Sequence, residues 1–313
     1  MNKIPPLPSV IEFHISNRCT GDCICCSKAH GGNNPPYVTM DVINKAIERL
    51  RETDCESFNL QLGGDGDSFL NPHFLSICKR LKEALPHSHR CLYTSCFSLS
   101  WEKARAIAQG RLLDEVQVRI DSLNPDVYYR STGMFLWRVL DNLHCFAAVN
   151  EHAHLCVIYM PLFEYAAACR ERLGKEPTYA HRLDGLVLRD EYVDVIAYFD
   201  RLEKKRPIEV RKTGISLWAE RTDCAYSDAP CPRLPENVPG DMSRQLYIYP
   251  NGDYGLCGYD DAQCEFVLGN VFDHSIREVW NGPKMLEYME RIRKRTPENH
   301  PPCCVNPIAC KMQ

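Results

Sequence analysis

The sequence predicts an α/β protein built on a parallel sheet, followed by a small cysteine-rich unit. Three observations carry this. Short apolar runs at residues 10–15, 58–62, 91–94, 116–120, 155–160 and 208–211 alternate with helical patterns, as βαβ units do. The alternation stops after Trp218. Of 313 residues, 18 are cysteine, bunched near the first run and in the final third.

The elements follow in order. After the first strand, Thr39 is a fitting N-cap for a helix with Val42, Ile43, Ala46, Ile47 and Leu50 on one face. The second strand leads to a helix with Phe74, Leu75, Cys78 and Leu81 turned inward. The third leads to a helix over 101–109 that Gly110 should stop. The fourth is followed by a turn at Asn124–Pro125 and a helix through 139–149. Residues 161–207 make a longer connection with helical stretches at 166–175 and 190–205; it is either a pocket-shaping insertion or a surface loop. Beyond Trp218, residues 246–250 and 254–257 read as a hairpin about Asn251-Gly252. One helix is expected from Ser275, with Ile276, Val279, Trp280, Leu286, Met289 and Ile292 on its apolar face. The expected units are residues 1–218 and 219–313.

Bulk properties narrow the function. A net charge of −4 gives no reason to expect nucleic acid or an anionic membrane as partner. The proline-rich start, MNKIPPLPSVIEF, is not a signal peptide, and no apolar run reaches membrane length. A cytoplasmic protein is expected, so the cysteines should be thiols, metal ligands or catalysts rather than disulfides. Isolated ones such as Cys78 and Cys145 are expected to be buried as small hydrophobes.

The chemistry concentrates in the loop after the first strand. Cys19, Cys23 and Cys26 form a C-x3-C-x2-C run. Three thiolates at this spacing can hold three corners of a cubane cluster and leave one iron open to a small ligand. Cys23-x2-Cys26 as a redox dithiol, or the run as part of a zinc knuckle, are the competing readings. A position at the carboxyl end of a strand, where α/β folds place active sites, favours the cluster.

This run after a first strand resembles the hallmark of the radical S-adenosylmethionine (SAM) superfamily. Gly64-Asp65-Gly66-Asp67-Ser68-Phe69-Leu70-Asn71-Pro72 resembles the family's G-G-E-P segment, with Asp67 for Glu and Ser68 for Pro. Thr94-Ser95-Cys96 resembles the T-N-G turn after the third strand, and residues 118–125 the fourth-strand segment. The resemblance covers residues 10–218 and implies a partial (β/α)6 TIM-type barrel. It implies a [4Fe–4S] cluster on Cys19, Cys23 and Cys26. It further implies SAM held by Gly64, Gly66, Asp67, Thr94, Ser95, Arg119 and Asp121, with Asp67 facing the SAM ammonium. Cys25 stands where the family usually has an aromatic near adenine. The implied reaction is reductive cleavage of SAM to a 5′-deoxyadenosyl radical, which takes a hydrogen atom from substrate. An electron donor such as flavodoxin or ferredoxin is implied as partner.

Residues 208–220, then Cys231, Gly252-x4-Cys257, Leu268-Gly269-Asn270, Ile276, Glu278 and Trp280-Asn281, resemble the entry to and body of a SPASM or twitch domain. Such domains hold auxiliary [4Fe–4S] clusters. Cys231 and Cys257 are the implied ligands, with two of Cys303, Cys304 and Cys310 completing the set. Pro301 stands where the first cysteine of the full SPASM run would be, so one auxiliary cluster is expected; a structural zinc is the alternative. Cys224 has three readings: a fourth auxiliary ligand, a catalytic thiol that gives a hydrogen atom to a substrate radical, or incidental.

Three functions are compatible with these residues. A peptide-modifying maturase would epimerise, oxidise or form a thioether in a ribosomally made peptide, although no leader-recognition unit is expected before Val10. A small-molecule dehydrogenase would oxidise a secondary alcohol of an aminocyclitol or sugar-like substrate. The single-cluster architecture resembles that of 2-deoxy-scyllo-inosamine dehydrogenase. A non-catalytic iron–sulfur protein is the third, and the presence of every SAM-contacting segment opposes it. The peptide reading is favoured.

Overall fold

The computed structural model describes residues 6–24, 26, 35–64, 66–173, 176, 180–202, 204–212, 245–256 and 267–294. Six strands, β1 (Val10–His14), β2 (Asn59–Gly63), β3 (His89–Thr94), β4 (Glu115–Ile120), β5 (His154–Tyr159) and β6 (Ile208–Lys212), lie side by side in chain order, all parallel. Each expected strand is present, shifted by at most two residues at an end.

The connecting helices follow from local chemistry. Helix α1 (Met40–Arg51) starts where the Thr39 hydroxyl accepts from Val42 N, and buries the five apolar residues expected of it. Helix α2 (Phe74–Ala84) buries Phe74, Ile77, Cys78 and Leu81. Helix α3 (Trp101–Gly110) is capped by Ser100 and includes Gly110. Gly110 does not stop it. The left-handed residue is Arg111, at φ 46°, whose N–H returns to the helix. After β4 there are two helices, α4 (Pro125–Thr132) and α5 (Leu136–Val149), where one was expected. Asn124 caps α4, Pro125 opens it, and Gly133 at φ 72° closes it. In the long connection, α6 (Leu162–Ala168) runs into a π-helical turn over Cys169–Leu173, and α7 (Tyr192–Asp200) precedes β6.

The hairpin expected near the C-terminus forms, β7 (Gln245–Ile248) against β8 (Asp253–Gly255), with Gly252 at φ 87° in its turn. Its placement could not be read from the sequence. β7 pairs in parallel with the outer edge of β1, Ile11 opposite Leu246 and Phe13 opposite Ile248. A short β9 (Gly269–Asn270) follows β8, giving among the described residues one nine-stranded sheet, β6-β5-β4-β3-β2-β1-β7-β8-β9. Side chains reinforce the seam: Arg49 on α1 donates to Val271 O at 3.0 Å, and Trp280 Nε1 donates to Pro6 O at 3.1 Å.

The single helix expected from Ser275 is also two, α8 (Ile276–Trp280) and α9 (Pro283–Lys294). Ser275 and Glu278 cap α8 reciprocally. Asn281-Gly282-Pro283 then breaks it, because proline has no N–H to donate and disfavours helical backbone before it. The break rotates the second half. Met285, Tyr288 and Met289 face inward, and Leu286 faces solvent.

The core lies between the sheet and its helices, with Ile11, Phe13, Leu60, Leu62, Leu92, Val116, Val118 and Ile120 from the sheet fully buried. Each such side chain stabilises the fold by roughly 1.5–3 kcal/mol. No described cysteine is in a disulfide. Cys78 is buried as expected; Cys145 is not, and lies exposed on α5.

Candidate active site

The loop carrying Cys19, Cys23 and Cys26 leaves the carboxyl end of β1 and is held from three sides. Toward α1, Asn17 N donates to Pro36 O at 2.9 Å, and Ser16 bridges to Tyr37. Toward β2, Asp67 N donates to Arg18 O at 2.8 Å. Toward α4, Asp22 N donates to Thr132 O at 2.7 Å and Ile24 N to Ser131 O at 2.8 Å. Arg182, from the long connection, also donates to Asp22 O at 2.7 Å. The three cysteines are half-buried. Gly21 N–H points at Cys19 Sγ from 3.4 Å, a contact that favours the thiolate a metal needs. Among the described residues no group of three or more metal-ligating side chains is already set to hold an ion; Cys25 and residues 27–34 lie outside them. The donor set fits an iron–sulfur cluster in chemistry and placement: three thiols, partly shielded, with a backbone N–H on sulfur, at the mouth of a parallel barrel.

The turn after β2 presses against this loop. A Cβ on Gly66 would lie 2.4 Å from both Ser16 O and Arg18 O, so only glycine lets the two backbones meet. Gly64 sits at φ 109° against His14. Asp67 is buried and capped by many donors. Its carboxylate accepts from Phe69 N at 3.1 Å, Thr94 Oγ1 at 3.1 Å and Ser95 Oγ at 3.2 Å, and Ser98 also bonds to it. Burial raises its pKa, and these hydrogen bonds oppose the shift. Asp67 therefore fastens the β2 turn to the β3 turn, and an ammonium approaching it would compete with four donors. Thr94 Oγ1 in turn accepts from Cys96 N at 2.9 Å. Cys96, in the place of the family's glycine, is buried at φ 64°, a conformation that strains a side chain.

On β4 the alternation is explicit: Val116, Val118 and Ile120 are buried under the helices, and Glu115, Gln117 and Arg119 face the lumen half-exposed. Arg119 binds Asp121 through Nε at 2.6 Å and Nη2 at 3.1 Å, and Nη2 also lies 2.8 Å from Met160 Sδ. The pair brings both predicted residues to the barrel mouth, with Asp121 fully buried beneath the guanidinium. Below them Ser122 Oγ and Leu123 N donate to Glu191 at 2.7 and 2.6 Å, and Glu191 N donates to Tyr159 Oη at 2.8 Å.

The lumen is polar. Gln245 Nε2 donates to Glu12 at 3.0 Å and Gln61 at 3.1 Å, joining β7, β1 and β2. Gln117 donates to Glu115 at 2.8 Å, and His154 reaches Glu209 at 3.0 Å. Burial pushes the Cys91 thiol up to about 12 and Cys156 to about 11, so both stay protonated. Sequence reasoning missed this lining, and also Glu191, Ser98 and Met160. A signal for the lumen was available, because strands of a parallel sheet are normally apolar on both faces and Glu12, Gln61, Glu115 and Gln117 interrupt that. Cys224, Cys231, Cys257, Cys303, Cys304 and Cys310 lie outside the described residues.

Comparison with known proteins agrees with this geometry. The family model of the radical SAM superfamily matches residues 13–165. That of the iron–sulfur cluster-binding SPASM domain matches residues 240–310. The chain belongs to the radical SAM superfamily. More particularly, it is a radical SAM enzyme of the SPASM/twitch subfamily, with a SAM-binding [4Fe–4S] cluster and an auxiliary iron–sulfur centre. No curated protein matches it in sequence. Among solved structures it is similar to BtrN in complex with AdoMet and 2-DOIA, at 14% identity and TM-score 0.53, covering 98% of this chain and 94% of that one. It is also similar to Streptococcus suis SuiB bound to precursor peptide SuiA, at 12% identity and TM-score 0.59, covering 97% and 77%. The third is anSMEcpe with bound AdoMet and Cp18Cys peptide, at 12% identity and TM-score 0.59, covering 94% and 85%. At these identities the likeness is one of fold. Among the described residues no helix is long and apolar enough to cross a membrane.

Proposed function

We propose that this enzyme modifies a ribosomally synthesised peptide. The observation that carries the reading is the polar strand face: Glu12, Gln61, Glu115, Gln117 and Gln245 line the side of the sheet away from the core with groups that can hydrogen-bond a peptide backbone. Two of the similar structures hold peptides, which supports it. A [4Fe–4S] cluster held by Cys19, Cys23 and Cys26 would supply the one-electron reduction of SAM on which hydrogen abstraction from substrate depends. This chain's residues do the positioning. Cys19, Cys23 and Cys26 hold the cluster. Gly64 and Gly66 seat the β2 turn, the proposed SAM contact, against His14 and the three-cysteine loop, and Asp67, with Thr94 and Ser95, ties that turn to the β3 turn. The Arg119–Asp121 pair sets the polar wall at the mouth. Cys231, Cys257 and two of Cys303, Cys304 and Cys310 are the proposed ligands of one auxiliary [4Fe–4S] cluster in a unit spanning residues 219–313. Cys224 is the proposed hydrogen donor.

The test is mass spectrometry of any short peptide encoded beside the gene, after incubation with enzyme, SAM and reductant in D2O. Deuterium at one α-carbon is expected. A loss of two mass units with no deuterium removes the donor role of Cys224. No change in the peptide, with turnover of an aminocyclitol instead, overturns the peptide reading. That second reading, a secondary-alcohol dehydrogenase, has its own support: BtrN matches this chain almost end to end, whereas the peptide-bound structures are longer.

A further inference from the structure

The long connection between β5 and β6 does more than join them. Beside the main core lies a second, smaller apolar cluster. Ile24, Val127 of α4, Leu162 of α6 and Leu183 are buried in it, and Leu186 and Leu188 pack against them. Ile24 is the unexpected member, because it belongs to the three-cysteine loop, between Cys23 and Cys26. Cys26 N donates to Cys23 O at 3.1 Å, so the loop turns tightly at this side chain. Residues 17–24 have no helix or strand of their own, so the shape of the loop comes from what it packs on. Anchoring Ile24 therefore sets where two of the three sulfurs stand.

Polar contacts close the same joint. Arg182 Nη1 donates to Asp22 O at 2.7 Å and lies 3.4 Å from Asp22 Oδ2. Arg130 Nη1, from α4, donates to Asp184 O at 2.8 Å. Asp22 N and Ile24 N donate to Thr132 O and Ser131 O at the end of α4. The loop, α4 and residues 182–184 thus form a closed circuit in which each holds the other two. Leu183 lies at its centre: Arg182 and Asp184 on either side make the polar links, and the Leu183 side chain shares a pocket with Ile24. Gly185, at φ 77°, then turns the chain, and Leu186 N donates back to Leu183 O at 3.1 Å. Leu186 and Leu188 return to the pocket, and Val187 between them is 84% exposed.

We propose that residues 182–188 are a clasp on the three-cysteine loop, in which Leu183 and Arg182 position Cys23 and Cys26 for the cluster. Both are positioning residues, since they touch the loop and not the reacting atoms. Groups that orient metal ligands in this way set how tightly the metal is held and how far water reaches it. The proposal rests on the assignment of the cluster to Cys19, Cys23 and Cys26, not on the choice of substrate.

The test compares wild type with Leu183→Ala and Arg182→Ala, with the conservative Leu183→Met and Arg182→Lys, and with Val187→Ala as an exposed control in the same segment. Iron release to a ferrous chelator is followed on the full-length, anaerobically reconstituted enzyme. The cluster whose EPR signal changes on adding SAM is titrated for its reduction potential. In the apoprotein, alkylation rates of Cys19, Cys23 and Cys26 are read by mass spectrometry. The SAM-responsive cluster is expected to be lost at least about tenfold faster in both alanine variants. Its potential should become more positive, because reduction adds negative charge that newly admitted water stabilises. Cys23 and Cys26 should alkylate severalfold faster, Leu183→Met and Arg182→Lys should recover most of each loss, and Val187→Ala should match wild type. Wild-type rates of iron release and alkylation in both alanine variants overturn the proposal. Equally faster loss of every iron and labelling of every thiol overturns it too, because that marks general unfolding. If Leu183→Ala does not fold, Arg182→Ala carries the same comparison from a partly exposed position. A wild-type chain that takes up no SAM-responsive cluster removes the assignment of the ligands instead, and apoprotein alkylation still decides the clasp.

Discussion

The two faces of the parallel sheet obey opposite rules. On β4, the residues turned to the helices are Val116, Val118 and Ile120, all fully buried. Those turned inward are Glu115, Gln117 and Arg119, half-exposed: Gln117 donates to Glu115, Glu115 meets His89 of β3 and Arg211 of β6, and Arg119 binds Asp121. A closed eight-stranded barrel fills its interior with layers of branched apolar side chains. Here one face of each strand is core and the other is lining. Stability is concentrated outside the sheet, and the chemistry inside it and at its mouth.

This division can be broken at either face. The largest effect is expected at the mouth. Alanine at Cys19, Cys23 or Cys26 should remove four irons per chain and abolish 5′-deoxyadenosine formation, whereas Cys78→Ala, on the packed side, should keep full iron content and lower stability by only about 1–2 kcal/mol. Iron analysis and thermal melts separate the two. Next, Val118→Asp places an unpaired charge in the core and should cost about 4–5 kcal/mol or prevent folding, read by denaturant titration. Its lumen neighbour Gln117→Leu should change stability by less than about 1 kcal/mol and act on substrate KM. Equal destabilisation by the two would sink the division of labour. Gly66→Ala should lower stability by about 1–3 kcal/mol through contact with Ser16 O and Arg18 O, and weaken SAM binding as the cluster loop shifts.

The smallest effect concerns Asp67. Its folded-state pKa is raised by burial, so protonation favours the folded state. Its contribution to stability is full below the unfolded pKa and is lost as pH rises through the folded value. Asp67→Asn lacks this titration. Its melting temperature relative to wild type should therefore rise with pH across that window, and melts at acidic and neutral pH check it. A difference that moves the other way means the four donors outweigh burial.

Much of the fold was legible because local patterns recorded it. The six strands and the caps at Thr39 and Ser275 are set by residues adjacent in the chain, and so is the Asn251-Gly252 turn. The break at Asn281-Gly282-Pro283 was also legible and was overridden by the apolar spacing that continues past it. The parallel pairing of β7 with β1 was not legible, since nothing near either strand specifies a partner 235 residues away in the register of Val10 with Gln245. At the site, the cysteine run and the glycines pointed to two loops that the fold packs against each other. The network on Asp67 was hidden because three of its donors come from the β3 turn, and proximity of that kind is created only by folding.

The seam between β1 and β7 has a consequence for how the enzyme is made. β1 bears the cluster loop, yet its second edge stays unpaired until Gln245–Ile248 has been synthesised. Contacts of such long sequence separation form slowly, since the intervening chain must be closed before they contribute. A nascent or truncated chain ending before Gln245 would present β1 as a bare, apolar edge, a template for aggregation. Pairing of both edges of β1, the strand that leads into the three-cysteine loop, is thereby tied to arrival of the C-terminal third of the chain.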